Sequence, residues 1–143
     1  MADLCERVAA EMENIERTLK EIPPAAQCPR LSTLELAGVA ALLHNFYNGI
    51  ENALKQVLQS RSVELPTGDS WHRDLLAPAA DRQIIRKDTV EALKPYLAFR
   101  HFFSHAYALD LQAPRMESLV ETANPTFHCF KQDVSAALSP EQS

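Results

Sequence analysis

The sequence is poor in glycine and in aromatic residues, and both shortages bear on the fold class. Among 143 residues there are 3 glycines, and aromatic side chains make up 7% of the chain. β-Sandwiches and β-barrels need many tight turns, for which glycine is the usual residue, so an all-β fold is disfavoured. No apolar run approaches the roughly 20 residues that a membrane-spanning helix requires. Because the N-terminus also lacks the apolar segment of a secretion signal, we expect a cytoplasmic protein without a membrane segment.

Paired cysteines and an excess of positive charge are also missing. The 3 cysteines, Cys5, Cys28 and Cys129, are odd in number and scattered, as expected for free thiols in a reducing cytosol. The formal net charge is -5 and the pI is about 5.5, so there is no broad basic surface that would bind nucleic acid by counterion release. Any contact with RNA must therefore depend on a local group of arginine and histidine side chains.

Apolar residues that recur every three or four positions are abundant, and this spacing is typical of amphipathic helices. One such pattern runs from Leu4 to Ile22 and ends at Pro23-Pro24, since proline disfavours helix in the residue before it. A second begins at Ser32, which forms a capping box with Glu35, and continues for about seven turns. Its apolar positions are Leu36, Val39, Leu43, Phe46, Ile50, Leu54 and Val57.

The second half of the chain predicts further helices between proline and glycine signals. Residues 61–70 form a linker, and a short helix anchored by Trp71 follows. Asp88 is a candidate N-cap for a helix in which Pro95 marks a kink or a new start. Pro114 begins the last helix, and residues 139–143 form a frayed tail. The prediction is one all-α domain over residues 1–143, an antiparallel bundle of four main helices plus a short helix.

The stretch from Leu97 to Leu111 combines more reactive side chains with core-forming ones than any other part of the chain. If this stretch is helical, Arg100, Ser104 and Tyr107 fall on one side, because spacings of four and seven nearly complete one and two turns. The aromatic residues between them are expected to pack in the core rather than to stack on bases. They are Phe99, Phe102 and Phe103.

The order of residues in this stretch carries a resemblance to a known family. Residues 100–107, RHFFSHAY, fit the spacing R-x-x-x-x-H-x-Y, with a polar residue directly after the arginine. This segment resembles the signature of the HEPN superfamily, and its H-x-Y extension resembles the HepT branch. The pair Trp71-His72 before two leucines is a softer match. The HEPN fold is also a helical bundle, so the resemblance extends over nearly the whole chain in length and helix order, although its specific motif is confined to residues 100–107.

The resemblance implies an RNA endonuclease that works without metal or cofactor. Arg100 would hold the scissile phosphate, since a guanidinium offers paired donors and stays charged. His105 would transfer protons, because imidazole ordinarily titrates near neutrality. His101 and Ser104 would support them by orienting the phosphate or His105. Exposed catalytic groups contribute little to packing, so alanine in place of Arg100 or His105 is expected to stop cleavage with little loss of stability.

The resemblance also implies a toxin of a type VII toxin–antitoxin pair, whose partner is a minimal nucleotidyltransferase (MNT-type) antitoxin. In that family the antitoxin adds AMP to the tyrosine of the H-x-Y segment, here Tyr107. Independently, a spacing of five residues places Arg100 and His105 roughly 140° apart around an ideal helix, so one protomer would hold them poorly on one phosphate. Two copies related by a two-fold axis would bring both residues around one cleft, and a homodimer is therefore predicted.

Three other interpretations of the same residues stay open. His101 and His105 are four residues apart, a spacing that can hold zinc, but the sequence offers no third ligand beyond Asp110. Ser104 beside His105 suggests a nucleophile pair, yet neighbours in sequence point to different faces and no strained elbow is evident. The domain can instead be a catalytically silent HEPN module that serves a nucleotidyltransferase as its partner or substrate-binding subunit.

Overall fold

The computed structural model describes residues 3–64 and 75–139, and within these ranges the regular secondary structure is helical. This confirms the predicted all-α bundle with four main helices. The short helix predicted around Trp71 and the tail at residues 140–143 lie outside the described residues. The helices are α1 (Leu4–Glu21), α2 (Thr33–Ser60), α3 (Leu76–Asp81), α4 (Lys87–Phe103) and α5 (Ala113–Leu138), with 3₁₀ turns at Ala25–Arg30 and Ala108–Asp110.

The helices α1 and α2 run antiparallel and approach each other closely. Near one end of the pair, Nε of Arg7 donates to Oε1 of Gln56 at 2.8 Å. Further along, a Cβ added to Gly49 would lie 2.5 Å from Cγ1 of Ile15, so any larger residue there would force the side chain of Ile15 to shift. Glycine therefore allows this close approach, although it is otherwise a poor residue for a helix interior.

Contacts to α5 complete the antiparallel bundle. The hydroxyl of Tyr96 on α4 donates to the carbonyl oxygen of Leu119 at 2.7 Å. On the other side of α5, Nζ of Lys131 donates to Oε1 of Glu16 on α1 at 2.6 Å. The predicted apolar stripes of these helices form the shared core, in which the largest fully buried side chains are Tyr47, Tyr96, Phe46, Phe99 and Phe130. Among the described residues, no helix is both long and apolar enough to cross a bilayer.

Two helix starts confirm the signals in the sequence. The capping box at α2 is present, because the amide of Glu35 donates to Oγ of Ser32 at 3.1 Å and the amide of Ser32 donates to Oε1 of Glu35 at 2.9 Å. Pro114 lies in the first turn of α5, as predicted. Proline fits there because the first turn has no partner for its missing N–H group.

The predicted start of α4 is wrong. The N-cap is Arg86 rather than Asp88, and the cap's amide donates to Oδ2 of Asp133, on α5, at 3.0 Å. The same carboxylate accepts from Nε of Arg86 at 2.8 Å and from the hydroxyl of Thr89 at 2.5 Å. A side chain from a distant helix therefore takes the place of a local cap. A new start at Pro95 is also wrong, since α4 is continuous from Lys87 to Phe103 and is held by its buried residues.

Candidate functional site

The reactive stretch is helical only in its first half, so its prediction as a longer helix is wrong. α4 ends at Phe103, and Ser104 is its C-cap. The amide and the hydroxyl of Ser104 both donate to the carbonyl oxygen of Arg100, at 3.1 Å and 2.9 Å. The amide of His105 already donates to a carbonyl three residues back, that of Phe102, at 3.1 Å. The chain therefore tightens and leaves the helix before His105.

After His105 the chain forms a 3₁₀ turn in place of a continued α-helix. Tyr107 has an extended backbone, with φ -86° and ψ 155°, and precedes the 3₁₀ turn Ala108–Asp110. Its amide donates to Oδ2 of Asp110 at 3.0 Å, so an acidic side chain replaces a helical carbonyl as the acceptor. The expected helix face shared by Arg100 and Tyr107 is therefore wrong. The angle of roughly 140° between Arg100 and His105 does not apply either, because it assumes an ideal helix through both residues.

Arg100 lies between α4 and α2, where it forms an ion pair with Glu51. The side chain of Arg100 is 17% exposed and that of Glu51 is 2% exposed. Burial lowers the pKa of the Arg100 guanidinium from its usual value, which is high enough that the group stays charged near neutral pH. One edge of the predicted phosphate-binding residue thus faces a buried carboxylate, and only a small part of it reaches solvent.

Tyr47 lies one turn before Glu51 on the same side of α2. Its ring is completely buried, and within the described residues its hydroxyl has no hydrogen-bond partner. Burial raises the pKa of the phenol, and the positive charge of Arg100 opposes that effect only in part. Tyr47, Glu51 and Arg100 are referred to below as the Arg100 cluster.

Sequence reasoning missed the two members of the Arg100 cluster on α2, although one signal was available. Glu51 follows Ile50 and precedes Leu54 by three positions, so it falls on the buried side of a helix that is otherwise apolar there. A carboxylate in such a position requires a charged or hydrogen-bonding partner. The pattern thus indicates that a cation is needed, but it does not identify Arg100.

The two histidines of the motif come together at the end of α4. The ring centroids of His101 and His105 are 5.3 Å apart and the rings are inclined by 75°. Both residues are exposed, so either imidazole can contact a ligand. Within the described part of the chain, no group of three or more His, Cys, Asp or Glu side chains is placed to hold a metal ion. The zinc interpretation therefore gains no support from the structure.

The aromatic residues of α4 pack mainly inward, as predicted. Phe99 is buried, and its ring stacks on that of Phe103 with centroids 5.7 Å apart. Phe103 also contacts the ring of His44 on α2, at 5.2 Å. Phe102 is half-buried, and the guanidinium of Arg115 lies over its ring, 4.9 Å from the ring centroid. Arg115 is a second cation near this end of α4, and the sequence analysis did not single it out.

Tyr107 and Leu109 project from the segment after α4. Tyr107 is 79% exposed and Leu109 is 84% exposed. The 3₁₀ turn that carries Leu109 lies against α2, so the exposed side chains stand on a supported segment. The phenol of Tyr107 is therefore accessible to a modifying enzyme.

A helical bundle with this motif at the end of α4 is typical of HEPN-related proteins. The family model described as HepT-like protein matches residues 38–139, which include most of α2, all of α4 and α5, and the whole R-x-x-x-x-H-x-Y segment. The chain therefore belongs to the HepT-like family, and the predicted resemblance is confirmed. At the level of the family, this supports a HEPN-type, toxin-like function. The comparisons with curated proteins and with solved structures found no match.

Proposed function

We propose that this HepT-like protein is a metal-independent endoribonuclease and the toxin of a type VII toxin–antitoxin pair. The observation that carries the proposal is that the last turn of α4 and the residues just after it hold one partly buried guanidinium and a close pair of exposed imidazoles, in a chain of this family. The three free cysteines suit a cytoplasmic site of action for a single-domain protein. The net charge of -5 limits non-specific binding of RNA, so recognition depends on this local group.

The proposed reaction is a transesterification within the RNA chain. His105 takes the proton of a ribose 2′-hydroxyl, and the 2′-oxygen then forms a bond to the adjacent phosphorus. The bond from phosphorus to the 5′-oxygen breaks, and that oxygen leaves with a proton supplied by an imidazole. Arg100 binds the phosphate oxygens and stabilises the additional negative charge of the transition state. The products are a 2′,3′-cyclic phosphate and a free 5′-hydroxyl.

The supporting roles belong to His101 and Ser104. We assign His101 the role of orienting the proton-transferring group, and the contact between its ring and that of His105 supports this role. Ser104 would support the site from the end of α4, where its hydroxyl donates to the carbonyl oxygen of Arg100.

A homodimer is part of the proposal, although its support is now different. The helical offset between Arg100 and His105 no longer applies, but the large apolar side chain of Leu109 is exposed beside the motif. Covering this side chain with a second copy of the chain is favourable, and the proposed contact leaves the phenol of Tyr107 accessible. A two-fold pairing through this segment would bring both copies of His105 into one cleft.

Regulation through Tyr107 is the second part of the proposal. An MNT-type nucleotidyltransferase antitoxin would transfer AMP from ATP to the exposed phenol oxygen, which loses its proton, while pyrophosphate leaves. The adduct carries a bulky nucleoside and one negative charge, two residues from His105. Because Tyr107 does not share a helix face with Arg100, we expect inhibition mainly through covering of the histidine pair.

The decisive experiment is cleavage of single-stranded RNA by purified protein in EDTA, with analysis of the product ends. We expect 2′,3′-cyclic phosphate ends, and loss of cleavage in His105→Ala while the fold is retained. Cleavage that stops in EDTA and returns with zinc would overturn the metal-independent mechanism in favour of the histidine pair as ligands.

The silent binding module remains the second candidate function. One observation favours it: Arg100 is already engaged by Glu51 within a single chain. Stable binding to a nucleotidyltransferase without any cleavage by the wild-type protein would support this candidate and overturn the nuclease.

A further inference from the structure

Two carboxylates are buried in the described part of the chain, and only one of them is explained by the fold. Asp133 accepts three hydrogen bonds and caps the start of α4, so it contributes to the stability of the fold. Glu51 is 1% exposed and caps nothing, because it lies in the middle of α2. Replacing a buried ion pair by apolar residues of similar volume is often neutral or stabilising. Stability therefore does not account for a glutamate at this position.

The surroundings of Glu51 hold its carboxylate in place. Ile50 and Leu54, its neighbours on α2, are fully buried, and Tyr47 fills the preceding turn. A carboxylate on a packed helix offers a fixed acceptor, whereas the long side chain of arginine is intrinsically mobile. The position and tilt of the Arg100 guanidinium are thus set by α2 rather than by α4 alone.

The side chain of Arg100 reaches solvent while it is paired with Glu51. A guanidinium has five N–H donors, and a carboxylate can accept from two of them at most in a bidentate pair. The side chain of Arg100 is 17% exposed, whereas that of Glu51 is 2% exposed. A phosphate can therefore approach Arg100 from the solvent side while Glu51 stays paired with it.

We propose that Glu51 is a positioning residue that orients Arg100 and compensates part of its charge, so that the site favours the transition state over the bound RNA. This inference rests on the proposed function. A phosphodiester in the ground state carries one negative charge and is attracted weakly to a neutralised arginine. The transition state carries additional negative charge on the same oxygens, and oriented donors stabilise it more strongly.

The test is Glu51→Gln, which keeps the shape of the side chain and removes its charge. Loss of orientation should lower kcat at least tenfold, while the uncompensated guanidinium should lower KM. Binding of a single-stranded oligonucleotide, measured by fluorescence anisotropy in a His105→Ala background, should become tighter. It should also become more dependent on salt, by about 0.7 in the slope of log K against log salt, the value for one further phosphate contact with a single strand.

The matched control is Asp133→Asn, because Asp133 is also a buried carboxylate paired with an arginine, Arg86. It should lower the melting temperature but change neither the salt slope nor the kinetics of the folded fraction. A merely structural role for Glu51 would make Glu51→Gln behave in the same way as this control, and that result would overturn the proposal.

A third readout does not depend on RNA. The side-chain Nη–H signals of Arg100 in ¹⁵N NMR should be slow to exchange with solvent in the wild type, because Nη1 is paired with Glu51, and fast in Glu51→Gln. Unchanged exchange would overturn the positioning role even if RNA is cleaved. Absence of cleavage by the wild type would instead overturn the proposed function, and the exchange and salt-slope measurements would still decide the role of Glu51.

Discussion

Replacing Arg100 by alanine should destabilise the fold as well as stop cleavage. The sequence predicts an exposed arginine, and this is wrong, because only 17% of the side chain is exposed and Glu51 lies beside it. We therefore replace the expectation of a nearly unchanged thermal melt by a loss of stability. The substitution leaves a carboxylate that is 2% exposed without this cation. Breaking a buried pair in this way costs about 3–5 kcal/mol, and we expect the lower end because part of the guanidinium reaches water.

The expected loss of stability is large enough to be measured by thermal unfolding. For a chain of this length, a loss of about 3 kcal/mol corresponds to a decrease in Tm of roughly 10 °C, which circular dichroism resolves easily. His105→Ala, at an exposed position, should stay within about 0.5 kcal/mol of the wild type. The double variant Arg100→Met with Glu51→Leu removes both charges and should recover most of the stability lost in Arg100→Ala, while remaining inactive.

Equal melting temperatures for Arg100→Ala and His105→Ala would refute this reasoning. So would a double variant no more stable than Arg100→Ala, because the cost would then not come from the stranded carboxylate. Cleavage by Arg100→Ala must be measured well below its Tm, so that a loss of activity is not a loss of folded protein.

Four further predictions address single features of the structure. Tyr47→Phe removes a buried hydroxyl without a partner in the described residues, so thermal unfolding should show unchanged or increased stability. A loss of RNA cleavage in this variant would reveal a role for the hydroxyl in the site. Leu109→Asp should shift the protein from dimer to monomer in light scattering, and an unchanged mass would remove Leu109 from the interface. Tyr107→Phe should remain active but escape silencing by the antitoxin with ATP, followed by intact mass, and full silencing of this variant would contradict modification at Tyr107. The amide and hydroxyl of Ser32 lower the pKa of Glu35 below its usual 4.5. This glutamate therefore stabilises the fold above pH 4.5, and its contribution is lost as the pH falls through the lowered pKa. Glu35→Gln should flatten the acid side of the profile of Tm against pH, and an unchanged profile would contradict this.

The local signals in the sequence were sufficient for most of the fold. The capping box at Ser32 and Glu35 depends on residues three positions apart, and Pro114 acts within the turn that it begins. The apolar stripes have the period of the helix, so they predict the buried side of each helix without knowledge of its neighbours. The motif from Arg100 to Tyr107 is also local, and it was enough to predict the family.

The predictions failed where a local pattern met a stronger competing contact. Asp88 has the chemistry of an N-cap, but Asp133 reaches the start of α4 from another helix and accepts the hydrogen bond of Arg86 instead. The helical period through Tyr107 ended early, and the amide of Tyr107 took the side chain of Asp110 as its acceptor in place of a helical carbonyl. Helix propensity is a weak preference, and a single side-chain acceptor can override it at a helix end.

The sequence determined some members of the candidate site and the tertiary structure determined the others. The sequence by itself determined that Arg100, His101 and His105 lie on one short segment, since they are neighbours along the chain. Only the tertiary structure placed Glu51 and Tyr47 beside Arg100, because that pairing depends on how α2 packs against α4. A periodic pattern shows that Glu51 is on the buried side of its helix and needs a cation. Which cation it meets depends on the crossing of two helices far apart in the chain, and the local sequence of neither helix contains that information.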